Sequence, residues 1–275
     1  MIEREEASVV KPSRPSESPK GDQADIQAVS RVSQILALFT PATPELSASE
    51  VADRLQLNRT TAYRYCTSLA AAGLLERAKE PGRFIPGGLL LQLGAFAVGR
   101  RRVVNVAPRH MQALSRATQM SVVLCLWGLT GPVVSRVEED TATVVVVSVR
   151  VGSQLSLDAA QSILFLAYHN DQLSMERLLA TLPPERREQL RGQVAHVRDV
   201  GHCSLSSTPG VVAVAAPVFD EYGICATVAV IGTDNALSMA DDAPELRQVM
   251  ETTRLITSEL GGTYLPDRPN PTATP

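Results

Sequence analysis

The residues with the clearest chemistry lie between Ser47 and Ile85. From Arg59 to Ala72, the residues Ala62, Cys66, Leu69 and Ala70 fall on one face at helical spacing. The opposite face gathers Thr60, Thr61, Tyr63, Arg64, Thr67 and Ser68, a surface of hydrogen-bonding groups. Such a face suits the edges of base pairs. A guanidinium such as that of Arg64 meets guanine through two hydrogen bonds, while Arg59 and the hydroxyls suit phosphate oxygens. Base-reading groups come from the N-terminal half of a recognition helix, so Thr60, Thr61, Tyr63 and Arg64 are expected in a major groove. A merely solvated helix face is the competing reading, and the flanking elements weigh against it.

Those elements must hold the helix in place. Ser47-Ala48-Ser49-Glu50 has the form of a capping box, in which a hydroxyl and a carboxylate three residues apart satisfy free amides at a helix start. Val51, Ala52 and Leu55 are the inward positions of that short helix. Gln56-Leu57-Asn58 then predicts a tight turn, with Asn58 as the next cap. Gly73 ends the second helix, because glycine tolerates the left-handed conformation needed there. Leu74 to Arg77 and Arg83 to Ile85 read as short strands around the turn Glu80-Pro81-Gly82. Lys79 and Arg83 on this hairpin are candidates for phosphate or minor-groove contact, or simply charges that keep its tip soluble. Upstream, Ile26, Val29, Val32, Ile35, Leu36 and Phe39 predict an amphipathic helix over 26–39, broken by Pro41 and Pro44. The whole is a winged helix-turn-helix, expected to span residues 22–87.

The 275 residues, 44% hydrophobic and 20% charged, provide for two globular domains. The net charge of −3 would argue against a nucleic-acid partner if it were evenly spread. Residues 22–102 instead hold ten Lys/Arg against seven Asp/Glu, and residues 103–275 hold twelve against eighteen. A mildly basic domain thus precedes an acidic one. Cys66, Cys125, Cys203 and Cys225 show no paired spacing, so neither a zinc site nor a disulfide framework is expected, and a reducing cytoplasm is. No metal, cofactor, signal peptide or membrane-spanning stretch is expected. The sequence has no GxSxG, HExxH, P-loop or dinucleotide fingerprint, which argues against an enzyme. Two alternatives stay open: a thiol-based redox sensor through Cys125, Cys203 or Cys225, and a cysteine hydrolase using Cys203 with His196 or His202.

Beyond the wing, Leu89, Leu90, Leu91, Leu93, Phe96 and Val98 surround a helix on nearly every side. Residues 88–102 are therefore expected to form a linker helix buried against a partner chain. Arg100-Arg101-Arg102 read as its solvated end. The remainder, residues 103–263, predicts a helix over 108–120 and strands over 121–129, 133–138 and 143–149. Helices near 159–169, 174–180 and 185–198 follow, then a strand pair over 211–219 and 224–231 and a helix over 245–260. This gives an α+β domain, an antiparallel sheet covered by helices. Residues 1–21 and 264–275 are expected to be disordered tails, with Arg4, Lys11, Arg14 and Lys20 as weak candidates for DNA contact.

Several stretches resemble the IclR family of bacterial transcriptional regulators, over about Ala24 to Gly262. Leu46 to Ala52 with Leu55 and Leu57 is similar to that family's first reader helix. Arg59-Thr60-Thr61-Ala62-Tyr63-Arg64 and Ala72-Gly73-Leu74-Leu75-Glu76-Arg77 resemble its recognition helix and wing entry. Pro209 to Asp220, with Gly223 and Ile231-Gly232, resembles its C-terminal hairpin. The resemblance implies a GAF-like effector domain, a homodimer or dimer of dimers, and a double-stranded DNA operator whose binding a small-molecule effector alters. It places Cys125, Trp127, Val149, Ala159, Ala213, Val228, Ala229, Val230 and Ile231 near the effector, although core packing is the plainer reading of each and strand alternation lets only about half of them line one cavity. The family's Gly-Lys before the buried helix is replaced here within Ser156 to Ile163, and Ala229 and Ile231 stand where hydroxyls are common. An effector more apolar than a small organic acid is the expectation.

Overall fold

The computed structural model describes residues 26–139 and 149–264. Helix α1 (Gln27–Leu36) opens the first domain and stops three residues short of Phe39, because the chain turns ahead of Pro41. A two-residue strand β1 (Leu46–Ser47) leads directly into α2 (Ala48–Leu55) and then α3 (Arg59–Ala71). Strands β2 (Leu75–Arg77) and β3 (Arg83–Pro86) form the hairpin. β1 was not expected: two residues are too few for any pattern, and only pairing with β3 reveals them as a strand. Ile35, Leu46, Val51, Ala62, Cys66, Leu75 and Phe84 close one small core.

Helix α4 (Gly88–Gly99) follows, and none of its residues is buried. The next helix, α5 (Arg102–Thr118), begins six residues before the expected start at Pro108 and carries that proline in its interior. Val103, Ala107, Met111 and Leu114 are buried along one stripe, and this burial outweighs the one backbone hydrogen bond that Pro108 cannot make. Strands β4 (Ser121–Trp127) and β5 (Pro132–Glu138) come next. The strand expected over 143–149 lies outside the described residues except for Val149.

Helices α6 (Ala160–Tyr168), α7 (Gln172–Ala180) and α8 (Pro184–Val200) precede β6 (Cys203–Thr208), β7 (Val211–Asp220) and β8 (Gly223–Thr233), and α9 (Pro244–Glu259) closes the domain. The five strands are antiparallel in the order β5-β4-β8-β7-β6. β6 was missed because its Cys-Ser-Leu-Ser-Ser-Thr run is largely polar, and it becomes a strand by pairing with β7 at the sheet's end. Alternation along the strands sends Val122, Leu124, Val214 and Val228 towards α5 and α9, and Val123, Cys125, Ala215 and Ala229 towards α6 and α8. Tyr264, assigned from sequence to the tail, is buried and packs edge-on against Phe219 at 5.8 Å. The tails at 1–21 and 265–275 lie outside the described residues.

Candidate nucleic-acid interface and ligand face

The reader is assembled from local bonds. Ser47 accepts from the Glu50 amide at 3.2 Å while Glu50 accepts from the Ser47 amide at 2.7 Å, so the capping box is complete. The Ser47 amide holds the Glu50 carboxyl below its usual range. Gln56, at φ 52°, makes the turn, and Asn58 accepts from the Thr60 amide at 2.8 Å to start α3. At the other end Gly73 has φ 73°, and the Leu74 amide reaches the Leu69 carbonyl at 2.9 Å, which completes a glycine C-cap. Gly87 is equally constrained, since a Cβ there would lie 2.4 Å from the Gly73 carbonyl oxygen. The wing thus returns against the end of α3.

Between these caps α3 buries Ala62, Cys66 and Leu69 and exposes Arg59, Thr60, Thr61, Tyr63, Arg64 and Ser68. Thr67 differs from its neighbours: it is half-buried and its hydroxyl donates to the Tyr63 and Arg64 carbonyls at 2.9 and 3.0 Å. Of the two wing cations, Lys79 is exposed. Arg83 instead donates to the Glu45 carbonyl at 3.0 Å and lies 3.4 Å from Glu50, 3.7 Å from Glu45 and 3.8 Å from Glu80. Its charge is spent within the domain, tying wing to capping box. Arg102 is similarly committed, donating to the Leu260 and Glu259 carbonyls at the end of α9 and pairing with Glu221 at 3.5 Å. Cation at a helix C-terminus is the favourable arrangement. Sequence reasoning also missed Glu76, whose carboxylate accepts from the Gly88 amide at 2.7 Å and so caps α4 from the wing. Only contact across twelve residues identifies it.

In the second domain Cys125, Trp127, Val149, Ala213, Ala229 and Ile231 all pack on the α6 face of the sheet, and Ala159 caps α6 itself. Val228 and Val230 point to the opposite face, among the α5 and α9 side chains. The set does not converge on one point. Ile231 pairs with Ala213 and Ser121 at one end of β4, and Trp127 closes the other end, about 20 Å away at about 3.3 Å per residue. Between them Gln161, on the first turn of α6, accepts from the Cys125 thiol at 3.4 Å and donates to Thr227 Oγ1 at 3.2 Å and the Val123 carbonyl at 3.3 Å. Trp127 leans on Phe165 and His169, with ring centroids 5.3 and 5.6 Å apart.

All four cysteines are buried and unpaired, and burial raises each thiol, to about 12 for Cys203 and Cys225. Reactive thiolates need the reverse, partial exposure and a depressed pKa. This opposes both the redox-sensor and the cysteine-hydrolase readings. Among the described residues no group of three or more His, Cys, Asp or Glu is placed to hold a metal ion, and no helix is long and apolar enough to cross a membrane.

A winged helix-turn-helix joined to a separate α+β domain defines a DNA-binding transcriptional regulator. Residues 28–79 match the IclR helix-turn-helix domain, and residues 95–257 match the bacterial transcriptional regulator IclR C-terminal domain. The chain belongs to the IclR family. It is 27% identical over 229 residues to the HTH-type transcriptional regulator XynR of Escherichia coli K12, covering 79% of this chain and 89% of that protein. The DNA-binding transcriptional repressor YiaJ of the same organism is 23% identical over 264 residues, covering 91% and 92%. Among solved structures, an IclR transcriptional regulator from Silicibacter superposes with TM-score 0.74 at 19% identity, over 88% of this chain and 100% of the other. An IclR homologue from Microbacterium hydrocarbonoxydans complexed with 4-hydroxybenzoate gives TM-score 0.65 at 20% identity, over 85% and 98%.

Proposed function

We propose that the chain reads its operator as a dimer through Arg59, Thr60, Thr61, Tyr63, Arg64 and Ser68, and that a small molecule on the α6 face of the second domain alters the spacing of the paired readers. One observation carries the reading of DNA: α3 is capped at both ends, buries one face and exposes the hydrogen-bonding side chains of Arg59, Thr60, Thr61, Tyr63, Arg64 and Ser68 on the other. Thr67 contributes little to base contact, because its hydroxyl proton is spent on its own helix. Lys79 supplies a phosphate contact, and Arg83 sets the position of the wing instead.

Dimerisation through α4 is supported by its exposed apolar surface, on which Leu91 is 76% and Phe96 64% exposed. An apolar helix is stable in water only when covered, and a second copy of α4 covers it symmetrically. The Glu76 bond to the start of α4 transmits the helix's position to the wing. The effector is an apolar acid or phenol, in keeping with the side chains on the α6 face and with the 4-hydroxybenzoate held by the Microbacterium homologue. The protein acts in the cytoplasm, where its operator is.

The test is selection of bound sequences from a random duplex pool by the full chain at fixed moderate salt, repeated with Arg64→Ala. A two-fold symmetric or repeated site that the variant loses is the expected result. Failure of the intact, folded protein to enrich any sequence overturns it. For the effector, Trp127 is the one tryptophan, so saturable quenching by 4-hydroxybenzoate and none by pyruvate is expected; the reverse order overturns the apolar assignment.

A further inference from the structure

We propose that the cleft between α4 and the β4–β5 edge of the second domain's sheet is a binding site for an apolar monocarboxylate, distinct from the α6 face. The linker helix has two faces at helical spacing. Leu89, Leu93 and Phe96 share one, and the Arg100 guanidinium lies 5.7 Å from the centre of the Phe96 ring. Leu91, Gly94 and Val98 share the other, which looks across the cleft at Trp127, Val133 and Val134. The cleft encloses about 540 Å³, within the range of small-molecule sites. Of the residues expected near the effector it includes only Trp127. A second copy seated on Leu89, Leu93 and Phe96 uses the opposite face of α4 and leaves the cleft to another occupant.

The lining chemistry selects the ligand. Apart from Ser135 and Arg101, the side chains around the cleft are apolar, and Gly94 and Gly152 have none. The Ser135 hydroxyl donates to the Leu124 carbonyl at 3.1 Å, so its proton is committed. Arg102 is engaged by Glu221 and the last carbonyls of α9, but no hydrogen bond or ion pair to a described residue holds the Arg101 guanidinium. Among the described residues, then, the one charge in the lining is a cation with its N–H donors available, and no carboxylate competes for it. An apolar body fills the remainder, and a carboxylate meets the guanidinium through two parallel hydrogen bonds. At Gly94 an added Cβ meets nothing within 4 Å, so no packing contact requires this glycine, which is unfavourable within a helix. Clearance over the cleft accounts for it. Val151 borders the same space, and Arg150 before it donates to the Pro41 carbonyl of the first domain at 3.3 Å, so the occupant touches a loop that meets the reader domain.

Calorimetric titration of the full chain with octanoate and 3-phenylpropanoate, each beside its neutral alcohol, octan-1-ol and 3-phenylpropan-1-ol, tests this. Saturable binding of at least one acid is expected, with its alcohol bound about tenfold more weakly. Gly94→Leu, which fills the cleft, should abolish that binding, and Arg101→Gln should weaken it about tenfold or more. Both positions are exposed, so both variants are expected to fold. No heat from either acid at about 2 mM, affinity unchanged in either folded variant, or acid and alcohol binding alike overturns the proposal. The first of these outcomes, together with self-association weakened in Gly94→Leu by sedimentation velocity, assigns the cleft face of α4 to a second copy of the chain.

Discussion

The reader helix α3 and the α6 face of the second domain use polar side chains in opposite ways. On α3 they project outward, and each supporting contact is made by a neighbour in sequence: Ser47 with Glu50, Asn58 with Thr60, Gly73 with Ala70. On the α6 face they point inward and satisfy one another across the fold, Gln161 reaching Cys125, Val123 and Thr227 from 36, 38 and 66 residues away. A surface that must meet DNA keeps its donors free and fixes only its backbone. A face buried in a domain must instead pair its own polar groups, because an unpaired one is costly.

The comparison implies that the two domains fail separately. Phe84→Ala removes the largest side chain of the first core and is expected to cost that domain about 3–5 kcal/mol. Far-UV circular dichroism should show an earlier first transition while Trp127 fluorescence, which reports the second domain, melts unchanged; a joint shift breaks the comparison.

Arg64→Ala is expected to cost about 1–3 kcal/mol of operator binding and to relax preference at one base pair, with no change in either melt. Gln161→Leu should do the opposite. It leaves the Thr227 hydroxyl and Val123 carbonyl without their buried partner, lowers second-domain stability by about 1–3 kcal/mol and leaves effector-free operator affinity intact. An equal loss of DNA affinity would show that the faces are coupled through packing.

Ser47→Ala removes one cap and should destabilise the first domain by about 1 kcal/mol, measured by the same dichroism. The smallest effect is that of acid. The folded Glu50 carboxyl lies below its ordinary value, so its contribution is present above the usual carboxylate range and is lost as pH falls through the lowered value. Melts of the first domain should therefore steepen their decline in that window, and Glu50→Gln should flatten it.

The reader was legible because each of its signals is local. Capping box, turn and C-terminal glycine occupy contiguous residues, and their backbone bonds form whatever lies elsewhere. Arg83 shows where that reasoning ends: on the hairpin it reads as a cation for phosphate, yet Glu45, brought in by β1 pairing with β3, joins Glu50 and Glu80 around it. That Cys125, Trp127, Ala213, Ala229 and Ile231 share one face while Val228 and Val230 take the other, and that the five spread over about 20 Å along the sheet at about 3.3 Å for each residue of β4, was decided by the strand register. β6 and the early start of α5 were hidden for a related reason, since edge pairing and core burial overrode a polar run and a proline.

The sequence by itself determined the capped reader and its outward polar face, because helical periodicity and capping act within a few residues. Only the tertiary structure decided which charges remain free for DNA and which polar groups of the second domain satisfy one another. Those outcomes depend on partners tens of residues apart, and burial sets their cost only once the chain has closed around them.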